Sequence, residues 1–267
     1  MTLSLISVLR LKELFLFDCD GVLWKGSTPN STAQESLAKL RLLGKKIGYI
    51  TNNSSKSRKT YKKTLESMGF RAELSEITSS GFATAHYIYN HTSIRNVYLI
   101  GEQGFKDELT AQGISFYDMD QSHPQDVKAV VVGIDRDFNY EKASFACLSL
   151  ESGARFIVSN TDPFLPTEKG NLPGTGSIIS LLSTASGRQP DVIVGKPNKY
   201  IMDLALQAQQ VAPSNAVIIG DRLTTDVLCG LNSNVFAVHL DIGTREENSQ
   251  INPNLSIKSL NDLFIND

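Results

Sequence analysis

The sequence predicts an α/β chain: a mainly parallel sheet covered by helices, with a second α/β domain inserted into it. Three observations carry that expectation. Short apolar runs ending in polar or glycine-rich turns recur at residues 14–17, 47–50, 97–100, 129–132, 156–158, 192–194, 216–219 and 235–238, and they read as buried strands. Between many of them lie amphipathic stretches with helix signals, such as residues 31–43 closed by Gly44 and residues 57–68 closed by Gly69. Strand and helix thus alternate, the pattern of a parallel sheet with helices on its faces. The third observation is spacing. From Asp18 to Thr51 is 33 residues, one ordinary crossover, whereas Thr51 to Lys196 is 145 residues with its own strand and helix alternation. The expected division is 1–90 and 191–267 for the main domain and 91–190 for the insertion.

Composition narrows the functional class. The 267 residues are 41% hydrophobic and 20% charged with a net charge of -2, a balance that lacks the basic excess of a nucleic-acid binder. Cys19, Cys147 and Cys229 are few, odd in number and without metal-ligand spacing, which fits a reducing compartment better than a disulfide scaffold. Residues 1–17 are apolar, but Arg10, Lys12 and Glu13 interrupt them and no cleavage pattern follows. No later stretch approaches the roughly 20 apolar residues of a membrane span. The expectation is a soluble cytoplasmic protein with neither nucleic acid nor membrane as partner.

In open parallel sheets ligands sit beyond the carboxyl ends of the strands. Four polar clusters fall at such ends: Asp18 after 14–17, Thr51-Asn52-Asn53 after 47–50, Lys196 after 192–194 and Asp221 after 216–219. Asp18 and Asp20, two apart before Gly21, read as a surface turn, a calcium loop or a catalytic pair. A calcium loop needs further oxygen ligands, and Val22, Leu23 and Trp24 follow instead. As a catalytic pair, one carboxylate can attack phosphorus while the other protonates the leaving oxygen and later takes a proton from water. Such chemistry needs cations against the repulsion of carboxylate and phosphate. Asp221 and Asp226 offer oxygen ligands suited to magnesium, or else cap and charge the start of a helix. Lys196 is a point charge for a phosphate oxygen or an ordinary solvated lysine. Thr51, Asn52 and Asn53 are donors for transferring oxygens or cap residues of a turn. Each cluster alone is ambiguous; four in order, each at a strand end, point to phosphoryl transfer.

With those residues in place the chain resembles the haloacid dehalogenase-like hydrolases. It matches their four ordered motifs in Phe17-Asp18-Cys19-Asp20-Gly21-Val22, Ile50-Thr51-Asn52-Asn53-Ser54, Gly195-Lys196-Pro197 and Gly220-Asp221-Arg222-Leu223-Thr224-Thr225-Asp226. It looks closest to the para-nitrophenylphosphatase branch, with its phosphoglycolate and pyridoxal phosphate phosphatases, whose cap lies between the second and third motifs. The resemblance implies a Rossmann-like core with an α/β cap and a phosphoric monoester hydrolase acting on small phosphorylated metabolites. Asp18 would be the nucleophile and Asp20 the acid/base, with Thr51, Asn52, Asn53 and Lys196 at the phosphate. Magnesium would be held by Asp18, Asp221 and the Asp20 carbonyl, with Asp226 ordering the metal shell. Asn160 and Asp162 lie in a segment like the cap signature and are specificity candidates, as is Leu165. Leucine there resembles the phosphoglycolate type, whereas pyridoxal phosphate phosphatases usually have histidine. A homodimer through the cap is a further implication.

The runner-up of another class is a receiver module of signalling, which also phosphorylates an aspartate. It lacks a carboxyl two residues after the nucleophile and lacks so long an insertion. A phosphomutase of the same superfamily usually carries its cap soon after the first motif, where 33 residues leave no room. His86, His91, His123 and His239 show no metal or triad spacing, and Trp24 reads as packing or as a substrate contact.

Overall fold

Leu14–Phe17 forms a strand buried along its whole length, and it takes a central place in a six-stranded sheet. The computed structural model describes residues 3–167, 170–243 and 250–266. The sheet order is Leu255–Ile257, Phe236–Leu240, Ala216–Gly220, Leu14–Phe17, Lys46–Thr51 and Ile77–Ser79. The first five pair in parallel. Apolar side chains on both faces of the central strands account for their continuous hydrophobic runs, because helices cover each face of a parallel sheet. Ala33–Leu42 and Lys199–Gln209 both pack on the strand Lys46–Thr51. The expected helices at 31–43 and 57–68 appear as Ala33–Leu42 and Arg58–Ser67.

The chain divides into two compact units. One holds the chain up to Thr51, Lys62–Thr78 and the chain from Lys196 onward; the other holds Asn52–Tyr61 and Ser79–Gly195. These limits depart from the expected 91–190. The helix Ser80–His91 groups with the second unit because it packs on Gln103–Ala111. The segment 52–61 joins it through Ser54, whose hydroxyl accepts from Ile134 N at 3.3 Å.

The second unit has its own five-stranded parallel sheet, ordered Val192–Ile193, Arg155–Val158, Ala129–Val132, Asn96–Ile100 and Ser115–Phe116. Its core gathers Val130, Val132, Phe156 and Leu182 beside Tyr98 and Phe145, whose ring centroids lie 4.6 Å apart. An antiparallel hairpin, Phe164–Thr167 with Gly170–Pro173, extends from it.

One expectation is corrected here. The run at 192–194 is not a strand of the sheet that carries Asp18. Val192–Ile193 pairs with Arg155–Val158, fixed by Asp191, whose backbone N donates to Phe156 O at 2.8 Å and whose carboxylate accepts from Phe156 N at 2.7 Å. Asp18, Thr51 and Asp221 therefore stand at strand ends of one sheet, while Lys196 arrives after a strand of the other. Among the described residues no helix is long and apolar enough to cross a membrane.

Candidate active site

Asp18 leaves the central strand with its backbone N still donating to Ile219 O at 2.9 Å, so the first residue of the loop is registered to the neighbouring strand. The loop then folds on itself. Leu23 N donates to Cys19 O at 3.0 Å and Gly21 N to Trp24 O at 2.7 Å, and Asn30 Nδ2 holds Val22 O at 3.0 Å. Gly21 sits at φ +93°, and a Cβ there would stand against the Asp221 carboxylate. Only glycine meets both demands. Trp24 is buried, and its indole Nε1 donates to Asp20 Oδ1 at 2.9 Å. That contact is absent from the sequence reading, which took Trp24 for packing or a substrate contact; the signal was its place four residues after Asp20.

Lys196 is 2% exposed, and its ammonium lies 2.5 Å from Asp18 Oδ1 and 2.5 Å from Asp226 Oδ1. A third donation, at 3.3 Å, goes to Ile50 O, next to Thr51. The solvated-lysine alternative is thereby removed. Asp226 is placed by a single π-turn, Leu223–Val227, ahead of the helix Leu228–Asn232. Its Oδ2 accepts from Arg222 N at 3.2 Å while its own N donates to Arg222 O at 3.0 Å. Asp226 is thus a partner of Lys196, a contact that its reading as an outer metal residue did not contain. His239 Nε2 lies 3.2 Å from Asp221 O, which gives that histidine a place beside the site.

Carboxylate oxygens of Asp18, Asp221 and Asp226 all lie within 4.8 Å of one another, and all three residues are buried. Burial pushes the Asp18 carboxyl well up; Lys196 opposes this, while Asp226 and Asp221 add to it. Burial, then Asp226, pushes Asp221 up to about 7. Burial also works against the charge of Lys196, but Asp18 and Asp226 more than offset it and hold the ammonium above its ordinary range. Three carboxylates against one lysine leave an excess of negative charge in a buried set of hard oxygen donors. That donor set fits a divalent cation of the magnesium kind.

The remaining expected residues form their own cluster in the second unit. Asn160, at the end of the strand Arg155–Val158, donates from Nδ2 to Asn52 O at 2.7 Å, and Asn52 Nδ2 donates to Asp162 Oδ2 at 3.2 Å. Asn53 caps its own turn through Ser55, whose N and Oγ donate to Asn53 Oδ1 at 3.0 and 2.7 Å. Leu165 pairs with Leu172 in the hairpin, half-buried.

Residues 15–115 match the profile of the haloacid dehalogenase-like hydrolases, and residues 193–263 match a second, HAD-hydrolase-like profile. An acid sugar phosphatase of Staphylococcus saprophyticus is 35% identical over 256 residues, covering 94% of this chain and 96% of that one. The chloroplastic phosphoglycolate phosphatase 1A of Arabidopsis thaliana is 37% identical over 239 residues, 82% of this chain and 66% of that one. The crystal structure of a 4-nitrophenylphosphatase from Thermotoga maritima superposes with a TM-score of 0.89 at 29% identity, covering 96% of this chain and 97% of that one. With the loop, the lysine bridge and the carboxylate cluster already in place, this chain belongs to the haloacid dehalogenase-like hydrolases, in the branch of the para-nitrophenylphosphatases and phosphoglycolate phosphatases.

Proposed function

We propose that this small-molecule phosphatase works in two steps, with the phosphoryl group carried on Asp18 between them. The observation that carries the reading is the Lys196 ammonium, held at 2.5 Å from Asp18 beside two further buried carboxylates. The ammonium opposes the burial that raises the Asp18 carboxyl, and so favours the anion that attacks. In the first step an Asp18 oxygen bonds to phosphorus as the bond from phosphorus to the ester oxygen breaks, and Asp20 gives that oxygen its proton. In the second, Asp20 takes a proton from water as the water oxygen displaces Asp18 from phosphorus. Trp24 holds the Asp20 carboxyl in place through its indole N–H. Thr51 and Lys196 bind the non-bridging oxygens, with Asn52 and Asn53 as neighbouring donors. Magnesium is assigned to Asp18, Asp221 and the Asp20 carbonyl, with Asp226 anchoring Lys196 beside it. When bound, that cation offsets the repulsion between carboxylates and phosphate.

Asp162 and Leu165 are proposed to choose among substrates, and Leu165 favours a small, phosphoglycolate-like ester over pyridoxal phosphate. The names of the relatives, an acid sugar phosphatase and a phosphoglycolate phosphatase, support a small phosphorylated metabolite. The mechanism is tested with Asp18→Asn, assayed on para-nitrophenyl phosphate and trapped by acid quench. Loss of turnover with an unchanged circular dichroism spectrum is expected. Full activity in the folded variant, or phosphate label on another residue, refutes the assignment.

A further inference from the structure

Two of the points where the chain passes between the units are the peptide bonds Thr51-Asn52 and Gly195-Lys196. Two residues proposed to bind the phosphoryl group are therefore each joined by one peptide bond to a residue held in the second unit. One dipeptide there, Ser159-Asn160, holds both neighbours. Asn160 Nδ2 donates to Asn52 O at 2.7 Å, and Ser159 O accepts from Gly195 N at 2.8 Å. At Gly195 a Cβ would press on Ser159 O and lie 2.6 Å from Asn52 Oδ1 and 3.1 Å from Asn160 Cβ.

The side chain of Asn160 is 3% exposed, and its amide is engaged with protein. Besides Asn52 O, Nδ2 donates to Ser159 Oγ at 3.1 Å, and Oδ1 accepts from Asp162 N at 3.1 Å. Such an amide, with both its donor and its acceptor atoms bonded to the chain, is built to hold backbone rather than to read a ligand.

We propose that Ser159-Asn160 is a positioning pair, the Asn160 amide fixing Thr51 through the carbonyl of Asn52 and the Ser159 carbonyl holding Gly195 next to Lys196, and that Asn160 does not select the substrate. The inference rests on the phosphoryl-binding roles of Thr51 and Lys196 given above. It explains why a buried amide far along the chain belongs with the second motif: the reacting geometry depends on where residues 51 and 196 are held, and misplacement by about 1 Å costs on the order of a hundredfold in rate.

The test compares substrates. Asn160→Asp keeps the acceptor for Asp162 N but turns an oxygen toward Asn52 O; Asn160→Ala removes all three bonds. Each should lower kcat roughly ten- to hundredfold, by the same factor for para-nitrophenyl phosphate, phosphoglycolate and a sugar phosphate, with KM within about threefold. Gly195→Ala should give the same signature. Val130→Ala, in the core of the same unit, should lower Tm and leave kcat unchanged, which separates positioning from general destabilisation. Ser80→Ala removes the other side-chain hold on Asn52 O, a 2.5 Å bond, and should lower kcat about threefold for every substrate; it decides the matter if the Asn160 variants do not fold. A kcat loss that differs between substrates by more than about fivefold makes Asn160 a specificity residue and overturns the inference. So does unchanged kcat, or an equal loss in Val130→Ala. Activity surviving in Asp18→Asn would instead refute the underlying mechanism, whereas a dead Asp18→Asn with a substrate-dependent Asn160 effect refutes the positioning role alone.

Discussion

Replacing Lys196 by methionine keeps the length of the side chain and deletes the charge at the centre of the site. The ammonium stands 2.5 Å from both Asp18 and Asp226. Breaking a buried pair by removing one partner costs about 3–5 kcal/mol. That cost depends on the ionisation of the carboxylates left behind, and so on pH. Asp221 already titrates at about 7, against 3.8 for an unperturbed carboxyl, and Asp18 is raised in the same direction. The cation-free folded protein therefore holds more protons than the unfolded chain between roughly pH 4 and 7, and its stability falls as pH rises through that window. For Asp221 alone the loss by pH 8 is on the order of 4 kcal/mol. Lys196 lowers both carboxyls, so its removal pushes them further up and steepens the fall. Urea unfolding with chelator should show a smaller deficit for Lys196→Met at pH 5, where Asp221 is protonated, than at pH 8, where the deficit is about 3–5 kcal/mol. Magnesium should restore more stability at pH 8 than at pH 5, because protons compete with it for the same oxygens. An equal loss at both pH values, unmoved by magnesium, would show that Lys196 does not neutralise this cluster.

Trp24→Phe keeps the buried ring but removes the indole N–H from Asp20 Oδ1. A loss of about 1 kcal/mol is expected, roughly fivefold in kcat with little change in KM; steady-state kinetics with unchanged kcat would remove Trp24 from the positioning of Asp20. The cysteines report on the rigidity of the catalytic loop. Cys19 and Cys229 are buried, and burial pushes Cys229 up to about 12 and Cys19 well up, so neither offers thiolate at pH 8. Iodoacetamide followed by mass mapping should label half-buried Cys147 first, and the other two only on unfolding. Rapid labelling of Cys19 in the native protein would mean that the segment from Asp18 to Trp24 opens freely.

What the sequence makes legible is what hydrophobic patterning encodes locally. Leu14–Phe17 reads as a buried strand because four apolar residues end abruptly on Asp18, and a helix over 31–43 reads from its face and from Gly44. What stays illegible is set by distant partners. Val192–Ile193 looks like any other apolar run; its sheet is chosen by Asp191 against Phe156, a pairing 35 residues apart. The segment 52–61 gives no local sign that it belongs to the second unit, because Ser54 finds Ile134 only in three dimensions. The same holds within the site. The five-residue spacing of Asp221 and Asp226 fits metal ligation or a capped helix equally well. In the structure Asp226 lies in a π-turn, with Oδ1 on Lys196 and Oδ2 on the Arg222 backbone, contacts that its spacing does not announce. The sequence therefore names the charged groups, whereas only the fold shows that Asp226 and Asp18 share the ammonium of Lys196.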